Sequence, residues 1–198
     1  MIENIKEDIE SLKDNRIWIT KKARMEAEAR LNRNNLFAQL LVNYYTFVVL
    51  AFSIWTLVSQ DKVMSLLTVI ASVGLFGVSI FVSSAGFREK ALQFKDSYSN
   101  LNELEFELNN LLRISDSIGI YELIKRLKEY EIQYNNILNK IDNHKDVDYI
   151  KVRLKHQSNI TFGPIAYYYF NKFVYYTFIL LLLIIPFVLS IIYLIMNL

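Results

Sequence analysis

The sequence predicts an all-α membrane protein: a two-span transmembrane hairpin continuous with cytosolic helices, a cytosolic antiparallel helical hairpin, and a third C-terminal transmembrane helix. Charge patterning is the first observation behind this. No Asp, Glu, Lys or Arg occurs from Leu36 to Val58, from Val63 to Phe87, or from Phe173 to Met196. Each run is about 23 to 25 residues, enough at about 1.5 Å per residue to cross a hydrocarbon core of about 30 Å. Composition is the second: the chain is 53% hydrophobic yet 21% charged, so its charges are segregated into separate blocks. Scarcity of breakers is the third, because five Gly and two Pro in 198 residues leave little room for anything but long helices.

The same composition excludes several functions. A net charge of +2, with Lys and Arg interleaved among Asp and Glu, gives no basic stripe, so direct nucleic-acid binding is not expected. The absence of Cys removes disulfides, thiolate metal sites and thiol catalysis together. A charged beginning without an early apolar core is not a secretory signal, so the first apolar run is a retained span.

The expected organisation is cytosolic amphipathic and basic helices over 1–35, the transmembrane hairpin over 36–87, a cytosolic helical hairpin over 88–172 and the third span over 173–196. Ile2, Ile5, Ile9 and Leu12 recur at steps of three and four, which makes a short amphipathic helix with a narrow seam for a partner helix. From Thr20 strong helix formers begin and no Pro or Gly intervenes before Val58, so one helix runs from water into lipid. Arg24, Arg30 and Arg33 then anchor it near the headgroups. Only Lys62 lies in the turn, whereas Lys and Arg crowd the far ends of the hairpin. By the retention of positive charge inside, the N-terminus is cytoplasmic, the turn points outward and the C-terminus ends outside.

The second span reads as running on into Arg88-Glu89-Lys90. Phe87, Ala91, Phe94, Tyr98, Leu101, Leu104, Leu108 and Leu111 form a sustained heptad seam, with Phe94, Tyr98, Leu101 and Leu108 as the surface for a helical partner. Ser115 to Gly119 breaks this helix. The next carries Ile120, Ile124, Leu127, Tyr134, Leu138 and Ile141 on one face, with Glu131 at the seam's edge. Around His144 the polar residues lack metal-ligand spacing and read as a turn and cap. Tyr167 to Phe170 ahead of Lys172 mark a membrane interface, and Pro186 kinks the last span, whose freed carbonyl neighbouring helices must satisfy.

No catalytic constellation, phosphate-binding glycine loop or metal box is present, so neither an enzyme nor a cofactor is expected. The candidate functional feature is a pair of polar stripes. On the first span Gln39, Asn43, Thr46 and Ser53 fall within roughly 80°; on the second, Thr68, Ser72, Ser79 and Ser83 fall within roughly 60°. Such groups at membrane depth need another helix, another subunit or water, and close packing accounts for them as readily as a pore. Leu75 and Phe76, which interrupt the second stripe, suit a hydrophobic gate.

Ile17-Trp18-Ile19-Thr20-Lys21-Lys22-Ala23-Arg24, Ala27-Glu28-Ala29-Arg30-Leu31, the tight hairpin, Phe87-Arg88-Glu89-Lys90-Ala91, and Leu101-Asn102-Glu103-Leu104 together resemble the SLATT family, the SMODS and SLOG-associating two-transmembrane effectors. The resemblance covers about residues 17 to 155, and the third span departs from a two-span description as an additional C-terminal helix. It implies a bacterial anti-phage effector that oligomerises in the inner membrane and permeabilises it when a partner signals infection. The implied partners are the lipid bilayer, further copies of the chain, and a nearby-encoded nucleotide-signal synthase, nucleotide sensor or reverse transcriptase. A non-conducting scaffold acting through the heptad seam, or a small transporter subunit, are the alternatives.

Overall fold

A computed structural model of the chain describes residues 2–157 and 160–196, and every regular element among them is a helix. In chain order these are α1 (Ile2–Glu10), a π-helical stretch Ser11–Ile17, α2 (Trp18–Ser59), α3 (Lys62–Ser84), α4 (Phe87–Ile114), α5 (Ile120–Asn139), α6 (Asp146–His156) and α7 (Phe162–Met196). Three of the continuous helical stretches are long and apolar enough to cross a membrane. The chain is therefore an all-α membrane protein.

It divides into two compact units, Met1–Asn32 with Arg88–Tyr168, and Arg33–Phe87 with Tyr169–Leu198. The first is charged and has a core of Ile5, Ile9, Leu12, Ile17, Leu101, Leu104, Leu108, Leu111, Leu123 and Tyr134. Each of these sits at helical spacing on its own element, so amphipathic stripes of α1, α4 and α5 close on one another. The N-terminal seam and the α4 heptad seam thus find their partners within the chain. Where the sequence separates the N-terminal helix from the basic helix, the structure joins them. Leu12 and Ile17 are both buried but five residues apart, one more than an α-turn supplies, and the π-helical stretch takes up the extra residue.

The second span and α4 form one long helical stretch, Lys62–Ile114, interrupted only at Ala85 and Gly86, where Gly86 takes φ 61°, a left-handed conformation that glycine adopts without a Cβ clash. One further expectation changes. On α5 the inward position is Leu123, fully buried, while Ile124 points out at 48% exposure. The seam shifts by one residue because Ile120, Leu127, Tyr130, Tyr134, Ile137 and Leu138 pack with Leu123 around the same core. Glu131 is exposed, at the edge of the seam.

In the second unit the most apolar 18 residues of the first two spans include no buried residue and those of α7 only 6%, with Met64 and Thr68 buried near the start of α3, the surface expected of helices whose solvent is lipid. Gln60 and Asp61 alone separate α2 from α3. Asp61 caps α3 by accepting from the backbone N–H groups of Val63 (2.8 Å) and Met64 (3.1 Å), satisfying donors that otherwise have no partner at a helix start.

Candidate functional site

The polar stripes of the hairpin are placed unequally. On α2, Gln39, Asn43 and Thr46 lie on the exposed face, while Ser53 is half-buried. On α3, Thr68 is buried and Ser79 half-buried, whereas Ser72 and Ser83 are exposed. Hydroxyls of Thr46, Ser53, Thr68 and Ser72 each donate to a carbonyl of their own helix, those of Val42, Val49, Met64 and Val69, at 2.7–2.8 Å. Such bonds satisfy a hydroxyl without any partner outside the helix. The amides differ, since each carries two donors and an acceptor that one contact cannot satisfy. Among the described residues Gln39 reaches only Asn35, at 3.4 Å, within its own turn. The two gate candidates separate: Leu75 is half-buried in line with Met64, Thr68, Ser79 and Val82, and Phe76, 68% exposed, points away.

The third span is tied to the hairpin by tyrosine hydroxyls. Pro186 has no backbone N–H, so the carbonyl of Leu182, one turn earlier, loses its helical partner. Tyr45 of α2 donates its hydroxyl to that carbonyl at 2.6 Å, and Tyr44 donates to the adjacent carbonyl of Leu183 at 2.9 Å. At the hairpin turn Tyr193 donates to Asp61 at 2.5 Å. A cleft of about 330 Å³ lies between these ties, lined by Tyr44, Val48, Phe52, Trp55, Pro186 and Phe187.

In the charged unit a polar cluster joins α2 to α4, the end of α5 and α6. Arg24 is fully buried, where the sequence places it among headgroups. Its guanidinium donates to the Ser97 hydroxyl and to the carbonyls of Ile137 (3.3 Å) and Leu138 (3.4 Å), which cap the end of α5, and Nε has no hydrogen-bond partner among the described residues. Burial pulls the Arg24 pKa down from its ordinary value. Arg30 grips Asp148 with two bonds, Nε to Oδ1 at 2.8 Å and an Nη to Oδ2 at 2.9 Å, and Asp148 also accepts from the Lys145 backbone N–H at 3.1 Å, at the start of α6. Glu26 pairs with Lys151 and Lys155 of α6. Burial raises its pKa, but the two lysines hold it below the ordinary carboxylate value. His144 is half-buried beside these charges, and burial pushes its imidazole pKa down.

Phe94, Leu101 and Leu108 are buried and Tyr98 is half-buried, within the charged unit itself. As a surface for an outside partner the α4 seam is not open, because the chain's own helices cover it. All-helical architecture, three spans and a charged helical unit also frame the comparison with known proteins. Residues 5–192 match the model of the SMODS and SLOG-associating 2TM effector domain family 5. The chain belongs to this family. No curated protein and no solved structure matches it. The family is one of membrane effectors of conflict and defence systems, which describes this chain at the level of class. Its match runs through α7 to residue 192, so the third span lies inside the family 5 domain instead of following it.

Sequence reasoning missed the Arg24 and Arg30 contacts. Ala23, Ala27 and Leu31, four residues apart and all buried, are the signal that was available. Small residues at that step let a neighbouring helix come close, and Arg24 beside them turns inward with them.

Proposed function

We propose that this effector assembles with further copies of itself in the bacterial inner membrane and permeabilises that membrane when a partner protein signals infection. The observation that carries the reading is the placement of Gln39 and Asn43 on the outward face of α2, within an apolar run and directed away from the chain's other helices. In lipid an exposed amide loses its hydrogen bonds with water and gains none, so the arrangement favours another copy of the chain or an aqueous path over lipid alone. Thr46 and Leu50 continue the same face, which forms the seam between copies. The trigger is a nearby-encoded nucleotide-signal synthase, nucleotide sensor or reverse transcriptase acting on the cytoplasmic side, with the N-terminus inside and the C-terminus outside. A signal received by the charged unit passes along α2, which continues unbroken from Trp18 to Ser59, whereas the α3–α4 stretch is interrupted at Gly86. Phe76, exposed beside the polar stripe, closes the resting assembly.

The test is dye release from liposomes holding the purified chain, with and without the product of the neighbouring gene. Wild type releases dye when triggered and Asn43→Leu does not, and overexpression is toxic for the first and tolerated for the second. Retention of dye under every trigger, or equal leakage from Asn43→Leu, overturns the reading.

A further inference from the structure

We propose that the mouth of the α2–α7 pair binds the phosphate of an anionic phospholipid headgroup between Arg33 and Lys172. The two helices run parallel in a constant register. Phe37 meets the ring of Tyr175 with centroids 6.2 Å apart, a sequence offset of 138 (175 − 37), and the Tyr44 and Tyr45 bonds to Leu183 and Leu182 have offsets of 139 and 137. Carried one turn further toward the start of both apolar runs, the same register sets Arg33 level with residue 171, next to Lys172. Arg33 and Lys172 are both exposed, and both belong to the apolar unit.

Several cations of the charged unit are held by carboxylates. Lys6, Lys21, Arg30, Arg126, Lys151 and Lys155 each pair with a carboxylate. Arg33 and Lys172 have no such partner within reach among the described residues, and no Asp or Glu occurs from Ala29 to Gln60 or from Tyr149 to the end of the chain. The Lys172 ammonium lies 6.0 Å from the centroid of the Tyr176 ring, and Tyr175 and Tyr176 stand edge to face at 5.4 Å just above it. Tyrosines at this level occupy the headgroup zone, where their rings face acyl chains and their hydroxyls face water. A guanidinium offers a flat two-point grip on phosphate oxygens and an ammonium a mobile point charge, so together they suit a phosphodiester that carries a negative charge. A zwitterionic headgroup brings its own cation and gains less.

The experiment is native mass spectrometry of the full chain in detergent micelles, titrated with dioleoylphosphatidylglycerol or dioleoylphosphatidylcholine. Wild type retains the anionic lipid preferentially. R33Q/K172Q loses that preference by about thirty-fold, two interfacial charges at about 1 kcal/mol each, while R33K/K172R keeps most of it. R113Q/K125Q, which alters exposed cations of the other unit, binds as wild type does. If the double variant loses helicity, R33Q and K172Q separately are each expected to show a partial loss. Equal retention of the two lipids, or an unchanged preference in every Arg33 and Lys172 variant, overturns the proposal. Full displacement by equimolar inorganic phosphate overturns it as well, since the site then selects a soluble anion.

Discussion

In the charged unit the side chains that fix the fold are hidden, with Ile9, Ile17, Leu101, Leu108 and Leu123 at zero exposure, whereas in the apolar unit Leu66, Phe76, Phe81 and Phe178 stand more than 60% exposed and tyrosine hydroxyls tie the helices together. The difference lies in the solvent each unit meets. Water rewards burial of leucine, at about 25 cal/mol per Å², and readily competes for an exposed hydrogen bond. Lipid is as apolar as leucine and rewards no such burial, so polar bonds and close packing decide which helices associate. The charged unit is therefore specified by volume and periodicity. The apolar unit is specified by a few donors and acceptors.

The largest test of this contrast applies one substitution to both units. Leu108→Ala removes a fully buried side chain and should cost about 2–5 kcal/mol, transfer and cavity terms together. Leu66→Ala, at 62% exposure in an apolar run, should leave stability nearly unchanged in detergent or lipid. Thermal unfolding followed by helical ellipticity compares them directly. Equal losses would mean that lipid-facing positions of α3 are packed after all, and that the two units share one kind of core.

Second in size is the grip of Arg30 on Asp148. Asp148→Asn keeps the shape but leaves a guanidinium facing a neutral amide, with Asp148 only 2% exposed. Breaking a buried pair costs about 3–5 kcal/mol, and the lower end is expected because the Arg30 side chain keeps 17% of its surface. The effect should appear as faster hydrogen exchange across α6. The nearby Glu26→Gln, whose lysine partners reach water, should move it less. If the order is reversed, α6 is held by its surface lysines and not by the buried pair.

The apolar unit supplies a smaller and more diagnostic effect. Tyr45→Phe strips the Leu182 carbonyl of its hydroxyl donor, for a loss of about 0.6–1.7 kcal/mol, the range of hydrogen bonds between membrane helices. Pro186→Ala returns a backbone N–H to that same carbonyl, so in its presence Tyr45→Phe should be nearly silent. The double-mutant cycle, read from the resistance of the α2–α7 pair to denaturing detergent, reports the coupling alone. Strict additivity would mean that the tyrosine and the proline act on different carbonyls.

These effects also mark what the sequence made legible. Periodicity revealed the α4 seam almost residue by residue, because Ala91, Phe94, Leu101, Leu104, Leu108 and Leu111 answer to a single stripe. Absence of charge located the spans, and Pro186 announced a carbonyl in need of a donor. Neither signal could name Tyr44 and Tyr45 as the donors, since a register between distant helices leaves no periodic trace. Arg24 was misplaced for a related reason: residue type puts arginine at a headgroup, while only the path of α4 and α5 puts Ser97 and two carbonyls around it. Gly86 was legible and overlooked, a lone glycine at the end of an apolar run marking a helix stop.

The smallest expected effect separates two titrating groups beside α6, Glu26 and His144. Burial lowers the pKa of His144, and the Arg24 charge lowers it further, against the opposing pull of Asp148 and Asp146. A histidine whose folded pKa lies below its unfolded value of 6.5 binds protons more readily when unfolded. Its neutral form thus contributes stability that is present above pH 6.5 and is lost as the pH falls through the folded pKa. Glu26 follows the same sign lower down, its contribution present above 4.5 and lost as the pH falls through its own depressed value. Between about pH 7.5 and 5.5 Glu26 keeps its charge and its lysines, so the part of the α6 slope that comes from this cluster follows the His144 imidazole. His144→Gln should flatten that slope without altering the drop below pH 4.5. A slope that survives in His144→Gln would assign the titration to another group near Arg24, and the buried cluster would then answer to a different proton.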